Sequence, residues 1–578
     1  GLTFLANGFK GKGIDELEAN LIDIAENVKA NTITEEEVKL EKATILKETE
    51  DALRNVISVG GELTEYIAMG DYRYIFYLRD LVEKVTAEDV QRVAEKYLVQ
   101  SNRTLGRFIP TKESIRAHIE KGETIAKQLM DYKGRAVVEA GEVYDNTVAN
   151  IEKRLQQFTW NIGTKVSVYP KKLRAGEVNI TVKLPTGNIQ SLQGYESDFE
   201  MMAGLLFSGS NKYSKEAIAS KMDELKASVN VSSRELGEIT VGIKAVKENL
   251  DATLDFVSEL LSNPKFDESE IEIDRKSYIT GLEKKRNEPR DVAGAKLSEA
   301  FNGYPADHPK AHRNIDEQIA GFNKVTKSRL QQLHKTHMNV AHGHIGIVGD
   351  VDPSGISAKL QQKFGHLVSK TKYVEMEPAI KMTEGSVNWI ETPDKANAML
   401  YIAHGLELSR QHPDYHAALL ANSIWGGSGF ASRLMQRIRV KEGYSYGTGS
   451  GLQLEFDKRY GMYYMMAIAA PENMENVVKA YNEEIEKVLT KGFTQEELDN
   501  AIEGELKSLR TSWANDARIA RLLADNTLLN RELAWYTEFE AKLKALSLEQ
   551  VNAAFKKYIA NDKPNIFAAG DFARVKKS

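Results

Sequence analysis

An internal repeat constrains the fold of this chain more than any other feature of its sequence. A helix-start pattern, in which Thr or Asp precedes Glu by three residues, begins at Thr34, Asp267 and Thr494. Each of these segments can form a capping box. A second helix is predicted after a comparable interval in each case, from Thr86, Thr326 and Ser547. The chain therefore consists of three related segments, the first, second and third copies, rather than one large domain.

The second helix of each copy has the same set of inward-facing positions. They lie four, seven, eight and eleven residues after the helix start, a spacing that places them on one helix face. The aligned sets are Val90, Val93, Ala94 and Tyr97 in the first copy, Leu330, Leu333, His334 and His337 in the second, and Val551, Ala554, Phe555 and Tyr558 in the third.

Alternating apolar residues predict strands in the second and third copies. They occur over 178–184 and 239–243 in the second copy, and over 452–456 and 460–466 in the third. Each of these two copies also has a short strand, ending with Val348-Gly349-Asp350 in the second and Ala569-Gly570-Asp571 in the third. Such alternation is typical of half-buried antiparallel strands. Helices are predicted near 196–207, 214–226, 412–423 and 430–441. The predicted fold class is α+β, with tandem domains in which helices pack on an antiparallel-rich sheet.

The alignment of the copies predicts the domain boundaries. Gly1 and Phe4 align with Gly461 and Tyr464, so we interpret residues 1–110 as the second half of an α/β domain that begins at an internal strand. We expect its first half to lie upstream. Residues 111–158 are polar and helix-prone, and predict a helical connector. Residues 159–370 and 371–578 predict two complete α/β domains.

Composition excludes several classes of function. The formal net charge of -6 argues against a nucleic-acid partner, and the longest apolar run, near 462–470, is too short to span a membrane. The chain has no cysteine, so a zinc site would need histidines and carboxylates. The compartment is left open, because a cytosol and a periplasm both accommodate such a chain, and we favour the bacterial periplasm.

Residues 426–446, GGSGFASRLMQRIRVKEGYSY, carry a resemblance to a known family. They combine a glycine-rich stretch, a Ser-Arg-Leu triplet, and an Arg and a Tyr spaced by seven. Weaker likenesses lie at 205–210, 263–266 and 308–309. The chain thus resembles the pitrilysin/insulinase peptidases and the mitochondrial processing peptidases, over nearly its whole length. The resemblance implies tandem α/β domains enclosing a chamber, in which a zinc endopeptidase cleaves unfolded peptides.

The zinc site of that family is not found in this sequence. Its helix motif is His-x-x-Glu-His, and none of the eleven histidines has Glu and His at the required positions. At the corresponding place in the second copy we align Glu200, Ala203 and Gly204, which resembles a degenerate metal site. The resemblance therefore implies zinc in the parent enzyme but none bound by this chain. The metal would belong to a missing N-terminal half or to a partner subunit.

The retained site residues are Arg439 and Tyr446. The resemblance implies that both face the chamber, where the guanidinium and the phenol would contact a substrate carbonyl or oxyanion. Arg439 lies at a predicted helix end and Tyr446 on the next strand, so a shared site requires a tight turn, which Gly443 permits.

Other polar patterns favour structural roles. His334 and His337 align with apolar residues and are expected in the core, whereas His342 and His344 are expected to share a strand face. Gly426, Gly427 and Gly429 lack the features of a phosphate-binding loop and predict a mobile loop before a helix.

Three functions remain open from the sequence. The chain is the substrate-binding part of a zinc endopeptidase, a non-catalytic scaffold or peptide-binding subunit of the same ancestry, or a separate natural subunit with a metal-bearing partner. Whether the chain alone is an enzyme is undecided, and we expect it to be inert without that partner.

Overall fold

A computed structural model gives the fold of the chain. It describes residues 2–4, 14–30, 32–54, 56–107, 141–143, 145, 147–233, 235–383, 385–561 and 563–575. These residues fall into two compact units, the first within 1–140 and 219–226 and the second within 141–218 and 227–578. No helix in these ranges is both long enough and apolar enough to cross a membrane.

All described regular structure before residue 141 is helical. The helices are α1 (Ile14–Glu26), α2 (Glu35–Arg54), α3 (Val56–Ala68), α4 (Tyr74–Val82) and α5 (Ala87–Tyr97). The predicted starts of α2 and α5 are confirmed. The Thr34 hydroxyl accepts the Glu37 N–H at 3.2 Å and the Glu37 carboxylate accepts the Thr34 N–H at 2.8 Å, and Thr86 and Asp89 form the same capping box.

Two predictions for the first copy are wrong. Val93 and Tyr97 of α5 are 44% and 54% exposed rather than inward-facing, because no strand among the described residues of this unit covers that face. Residues 2–4 form no strand, and Gly1 lies outside the described residues. Most of the predicted connector 111–158 is likewise outside them. Its described end contains α6 (Val148–Arg154) and the start of the first strand.

The second unit contains two sheets. Sheet 1 has the order β1-β2-β6-β3-β5-β4. Its strands are β1 (Gln156–Thr159), β2 (Lys165–Pro170), β3 (Glu177–Pro185), β4 (Ser228–Ser232), β5 (Glu238–Val246) and β6 (His344–Gly349). The helices of the second copy are α7 (Ile189–Leu192), α8 (Glu196–Leu205), α9 (Lys215–Glu224), α10 (Leu250–Ser262), α11 (Glu268–Lys285), α12 (Pro289–Phe301), α13 (Ile315–Lys324), α14 (Lys327–His337) and α15 (Pro353–Phe364).

Sheet 2 has the order β7-β11-β8-β10-β9. Its strands are β7 (Val387–Glu391), β8 (Ala398–Leu406), β9 (Ser445–Gln453), β10 (Gly461–Ala469) and β11 (Asn565–Gly570). The helices of the third copy are α16 (Tyr415–Asn422), α17 (Met474–Lys491), α18 (Gln495–Ser512), α19 (Asp516–Leu528), α20 (Ala534–Ala545), α21 (Leu548–Tyr558) and α22 (Phe572–Val575), with π-helical segments at Ser423–Gly427 and Met435–Lys441.

Five strands of sheet 1 and the five strands of sheet 2 share one topology, with β1 an addition at the edge of sheet 1, which confirms the predicted tandem repeat and its α+β class. In each sheet one pair is parallel, β2 with β6 and β7 with β11. The following three pairings are antiparallel and occur in the same spatial order. The predicted inward residues of α21 are all at most 4% exposed. Two details differ from the sequence predictions. Asp267 makes no side-chain cap, and Leu454 and Phe456 lie beyond the end of β9.

Each sheet is covered on its second face by a helix from the other copy. Helix α12 of the second copy packs on β8 and β11 of sheet 2, where Ala293 contacts Met399 and Ala569. Helix α19 of the third copy packs on β2, β3 and β6 of sheet 1. Strand β3 is therefore buried along nearly its whole length. The prediction of half-buried strands was wrong here because this exchange of helices covers the second face.

Candidate functional site

The helix that bears Arg439 is fixed by two other arginines. Arg433 forms a bidentate ion pair with Glu497 of α18, with N–O distances of 2.6 and 2.8 Å. Burial alone would raise the pKa of Glu497, but hydrogen bonds from Arg433 and the Thr494 N–H lower it below its ordinary value. Arg437 pairs with Glu442 and, at 2.7 Å, with Glu483 of α17. These contacts hold the helix against α17 and α18 of the same copy.

A tight turn joins this helix to strand β9. Gly443 has φ +66°, a left-handed conformation that favours glycine, and its N–H donates to the Arg439 carbonyl at 3.1 Å. The N–H of Tyr444 donates to the Ile438 carbonyl at 3.0 Å. Strand β9 starts at the next residue, so Tyr446 is its second residue. The structure thus places Arg439 and Tyr446 on either side of one turn.

The side chains of Arg439 and Tyr446 are both exposed. Tyr446 is 69% exposed, and the described residues provide neither an ion pair for Arg439 nor a hydrogen-bond partner for the Tyr446 hydroxyl. The Arg439 guanidinium lies over the ring of Phe430, with 4.8 Å between its carbon and the ring centroid. Cation–π contact of this kind orients a guanidinium while leaving its N–H donors free.

Phe430 is a site residue that the sequence did not single out. Its ring is 60% exposed, although large apolar side chains are usually covered. Its carbonyl accepts a hydrogen bond from Gln436 Nε2 at 2.6 Å, which ties the segment before the helix to the helix itself. The only indication in the sequence is an aromatic residue set among Gly, Ala and Ser at 428–432.

The glycine-rich segment does not form the predicted mobile loop. Gly426 and Gly427 belong to the π-helical segment that extends α16, and Gly426 is buried. A Cβ on Gly426 would lie 2.7 Å from the Ser450 N of β9, so the missing side chain lets this helix end pack directly on the strand. These glycines therefore serve close packing beneath the site.

The residues aligned with the family's metal site lie on α8. Ala203 is buried and Glu200 is on the same helix, whereas Gly204 lies near Asp274 of α11. Desolvation raises the pKa values of Glu200 and Asp274, and burial together with these two charges raises the pKa of Tyr278 to about 12. The described ranges contain no group of three or more His, Asp or Glu residues placed to hold a metal ion. This donor set does not fit zinc.

The histidines have structural contacts. His337 is buried and bonded to Ser191 Oγ at 3.1 Å, and His334 contacts the Leu261 carbonyl at 2.7 Å. His344 is buried on β6, and its Nδ1 lies 3.0 Å from Thr527 Oγ1 of α19. His342 has φ +60° and lies in the turn before β6, so the expected shared strand face with His344 was wrong.

Acid should destabilise the chain through two of its buried histidines. Burial lowers the pKa of His344 and of His416 to about 4, with nearby lysines adding to the shift. Because the unfolded chain binds these protons more readily, their contribution is complete above the ordinary histidine pKa and is lost as pH falls towards 4. Each histidine should lower the free energy of unfolding by about 2 kcal/mol when the pH falls from about 7 to about 5.

Urea unfolding at these two pH values measures this loss. The double variant His344→Gln, His416→Gln should show a smaller pH dependence, whereas His366→Gln, at an exposed position, should behave as the unmodified chain. An unfolding free energy with the same pH dependence in all three proteins would contradict the assignment.

Comparison with known proteins identifies relatives of the second and third copies. Residues 200–310 match the model described as "Insulinase (Peptidase family M16)", and residues 324–505 match "Peptidase M16 inactive domain". An uncharacterised zinc protease of Streptomyces coelicolor is 22% identical over 340 residues, covering 57% of this chain and 70% of that protein.

Two solved structures share the fold. The peptidase M16 inactive domain from Pseudomonas fluorescens aligns with a TM-score of 0.63 and 25% identity, over 72% of this chain and 97% of that one. The periplasmic protease PqqL from Escherichia coli aligns with a TM-score of 0.59 and 15% identity, over 96% of this chain. The alignment covers 63% of PqqL, so this chain spans less than two thirds of that protein.

Proposed function

Because the chain belongs to the M16 (insulinase) family of zinc peptidases, we propose that it forms the substrate-contacting part of an endopeptidase that cleaves unfolded peptides. The observation that carries the proposal is the exposed pair of donors beside the Gly443 turn. The Arg439 guanidinium is oriented by Phe430 on an anchored helix, and the Tyr446 phenol projects from the strand that follows.

The chemistry of this pair suits the main chain of a peptide. A guanidinium presents several fixed N–H donors and stays charged at all working pH values, and a phenol presents one O–H donor. Both groups can donate to carbonyl oxygens, which every peptide offers irrespective of its side chains. An extended, unfolded segment exposes these oxygens, whereas a folded protein already uses them in its own hydrogen bonds.

We assign the metal centre to another part of the protein, either an N-terminal half or a partner subunit. The absence of a fitting donor set among the described residues supports this assignment. A bound zinc ion in this family of zinc proteases supplies Lewis-acid chemistry at the cleaved bond. The residues of this chain would bind and orient the peptide beside it. In this proposal residues 159–370 and 371–578 are two complete domains of the enclosing chamber.

A second function has specific support. The match of residues 324–505 to an inactive-domain model favours a peptide-binding or scaffold subunit that takes no part in cleavage. Peptide binding by the chain, without cleavage after any metal-bearing polypeptide is added, would select this alternative.

We also propose a bacterial periplasmic location. It is supported by the structural likeness to PqqL, a periplasmic protease. Cell fractionation with an antibody to the chain tests it.

Replacing Arg439 by alanine tests the principal proposal. In the enzyme that contains both this chain and its metal-bearing part, the variant should lose roughly 10²-fold or more in kcat/KM, since removal of one such donor has effects of that order. Tyr446→Phe, which removes only the hydroxyl, should cost about 10-fold, the net value of one hydrogen bond. Zinc content should be unchanged in both.

Lys441→Ala is the matched control, because it removes one positive charge from the same exposed helix end two residues away. It should retain the kinetics of the unmodified enzyme. Equal kinetics for Arg439→Ala and Lys441→Ala would refute the role of the guanidinium.

A further inference from the structure

Strand β9 is an unusual sheet edge. The two sheets end in four edge strands: β1 and β4 in sheet 1, and β7 and β9 in sheet 2. The first three have four, five and five residues, and short edge strands are a common protection against pairing with other chains. Strand β9 has nine residues, SYGTGSGLQ, without a charged residue or a proline. Its pairing with β10 shifts register at Tyr446, which forms a β-bulge, and the rest of the strand lacks the usual devices that block an edge.

The outer edge of β9 offers free backbone groups. The strand pairs with β10 at Ser445 and over 447–453, and the described part of the chain makes no backbone hydrogen bond to its other side. At the start of the strand, the Ser445 hydroxyl accepts from the Gly447 N–H at 3.1 Å and donates to the Gly447 carbonyl at 2.8 Å, so the free backbone groups lie beyond Gly447. An antiparallel pair uses only about half of the N–H and C=O groups of a strand. Gly447, Gly449 and Gly451 lack side chains. A Cβ on Gly447 would meet no atom within 4 Å, one on Gly449 would lie 3.3 Å from the Gly426 carbonyl oxygen, and one on Gly451 would lie 2.7 Å from the Tyr464 side chain. A strand that approaches this edge therefore meets no side chain from these three positions.

The open edge is continuous with the candidate site. Tyr446 is its second residue, and the Gly443 turn connects it to the helix that bears Arg439. A chain paired with β9 would therefore run past the Tyr446 phenol, with the Arg439 guanidinium and the exposed Phe430 ring just beyond. Main-chain pairing along an edge strand is an established way to hold extended peptides without regard to their sequence.

We propose that β9 binds an extended, unstructured peptide by main-chain hydrogen bonds, as an added strand of sheet 2. The inference rests on the proposed function and specifies how the peptide is held. An extended peptide is the occupant because the donors beside the edge suit carbonyl oxygens. A second copy of this chain, which carries a net charge of -6, would meet like charge. The edge strand fixes the register and direction of the bound peptide. The Arg439 guanidinium and the Tyr446 hydroxyl then donate to the part of the peptide that continues beyond the strand.

Hydrogen exchange on the full chain tests this arrangement. The probe is a fluorescent, unstructured peptide of Ala, Ser, Leu and Lys, about 10 residues long, which matches the length of β9. At saturating peptide, the amides of β9 should exchange at least 10-fold more slowly than in the free chain, whereas the amides of β7, the opposite edge, should be unchanged.

Two peptide analogues make the test specific for the backbone. Each carries N-methyl groups on alternate amides, in one of the two possible registers. Because a paired strand points successive N–H groups to opposite sides, one analogue should bind at least about 10-fold more weakly and the other should bind nearly as well as the parent peptide. The protein is unaltered, so no variant can fail to fold.

Each other outcome overturns the proposal. Peptide binding without protection of β9 refutes the added strand but leaves the proposed function standing, since Arg439→Ala kinetics judge that separately. Protection that increases with protein concentration and needs no peptide assigns the edge to a second copy. Absence of peptide binding, or equal weakening by both analogues, excludes main-chain pairing.

Discussion

Replacing Gly346 by alanine should destabilise the second unit by at least about 3 kcal/mol, because it forces an atom into a closed contact. Gly346 lies on β6 directly beneath α19. A Cβ there would lie 1.9 Å from the Ala520 carbonyl oxygen and 2.8 Å from the Ala524 nitrogen. Both are backbone atoms that cannot rotate away, so the whole helix would have to leave sheet 1. Urea or thermal unfolding of the full chain measures the effect.

Gly504→Ala is the control for this substitution. Gly504 lies on the exposed side of α18, and a Cβ there meets no atom within 4 Å. This variant should be as stable as the unmodified chain or gain about 0.5–1 kcal/mol, since alanine is the better helix former. If the two alanine variants were equally stable, α19 would not be held closely against β6.

The elements of the fold could largely be predicted from the sequence. Helix starts at Thr86, Thr326 and Ser547 are correct to the residue, because side-chain caps are local and the apolar spacing repeats. The exchange of α12 and α19 could not be predicted. An amphipathic pattern shows that a helix has an apolar face, but it does not say which of two similar sheets will cover that face.

The candidate site could be predicted less completely. The resemblance pointed to Arg439 and Tyr446, and the conformational freedom of glycine pointed to a turn at Gly443, which the structure contains. The contact between Arg439 and Phe430 was missed because it joins two segments whose approach depends on the fold of 428–432. The glycines at 426 and 427 were misjudged because glycine serves both mobile loops and close packing.

Separating the second and third copies should leave neither of them folded, although each has the strands that the sequence predicts for it. Without α19, residues 141–370 would expose the apolar surface around Tyr169 and Val348, which Ile519 and Leu523 now cover. Without α12, residues 371–578 would expose Met399 and Ala569 of sheet 2.

The free energy lost with this apolar contact is comparable to the whole stability of a domain, which is why neither fragment should fold alone. Burial of one large apolar side chain is worth roughly 1.5–3 kcal/mol, and Ile519, Leu523 and the covered strand residues together approach the 5–15 kcal/mol that stabilises a typical domain.

Circular dichroism and urea titration of each fragment should show no cooperative transition, whereas the two fragments expressed together should assemble into a stable heterodimer. The matched control is the full chain cleaved after expression near Lys370, an exposed position between the copies. It should remain associated and keep its transition, because cleavage there removes no helix from either sheet. A cooperative transition in either isolated fragment would mean that each sheet is stable with its own helices alone, and that the exchanged helices join two independent domains rather than complete one.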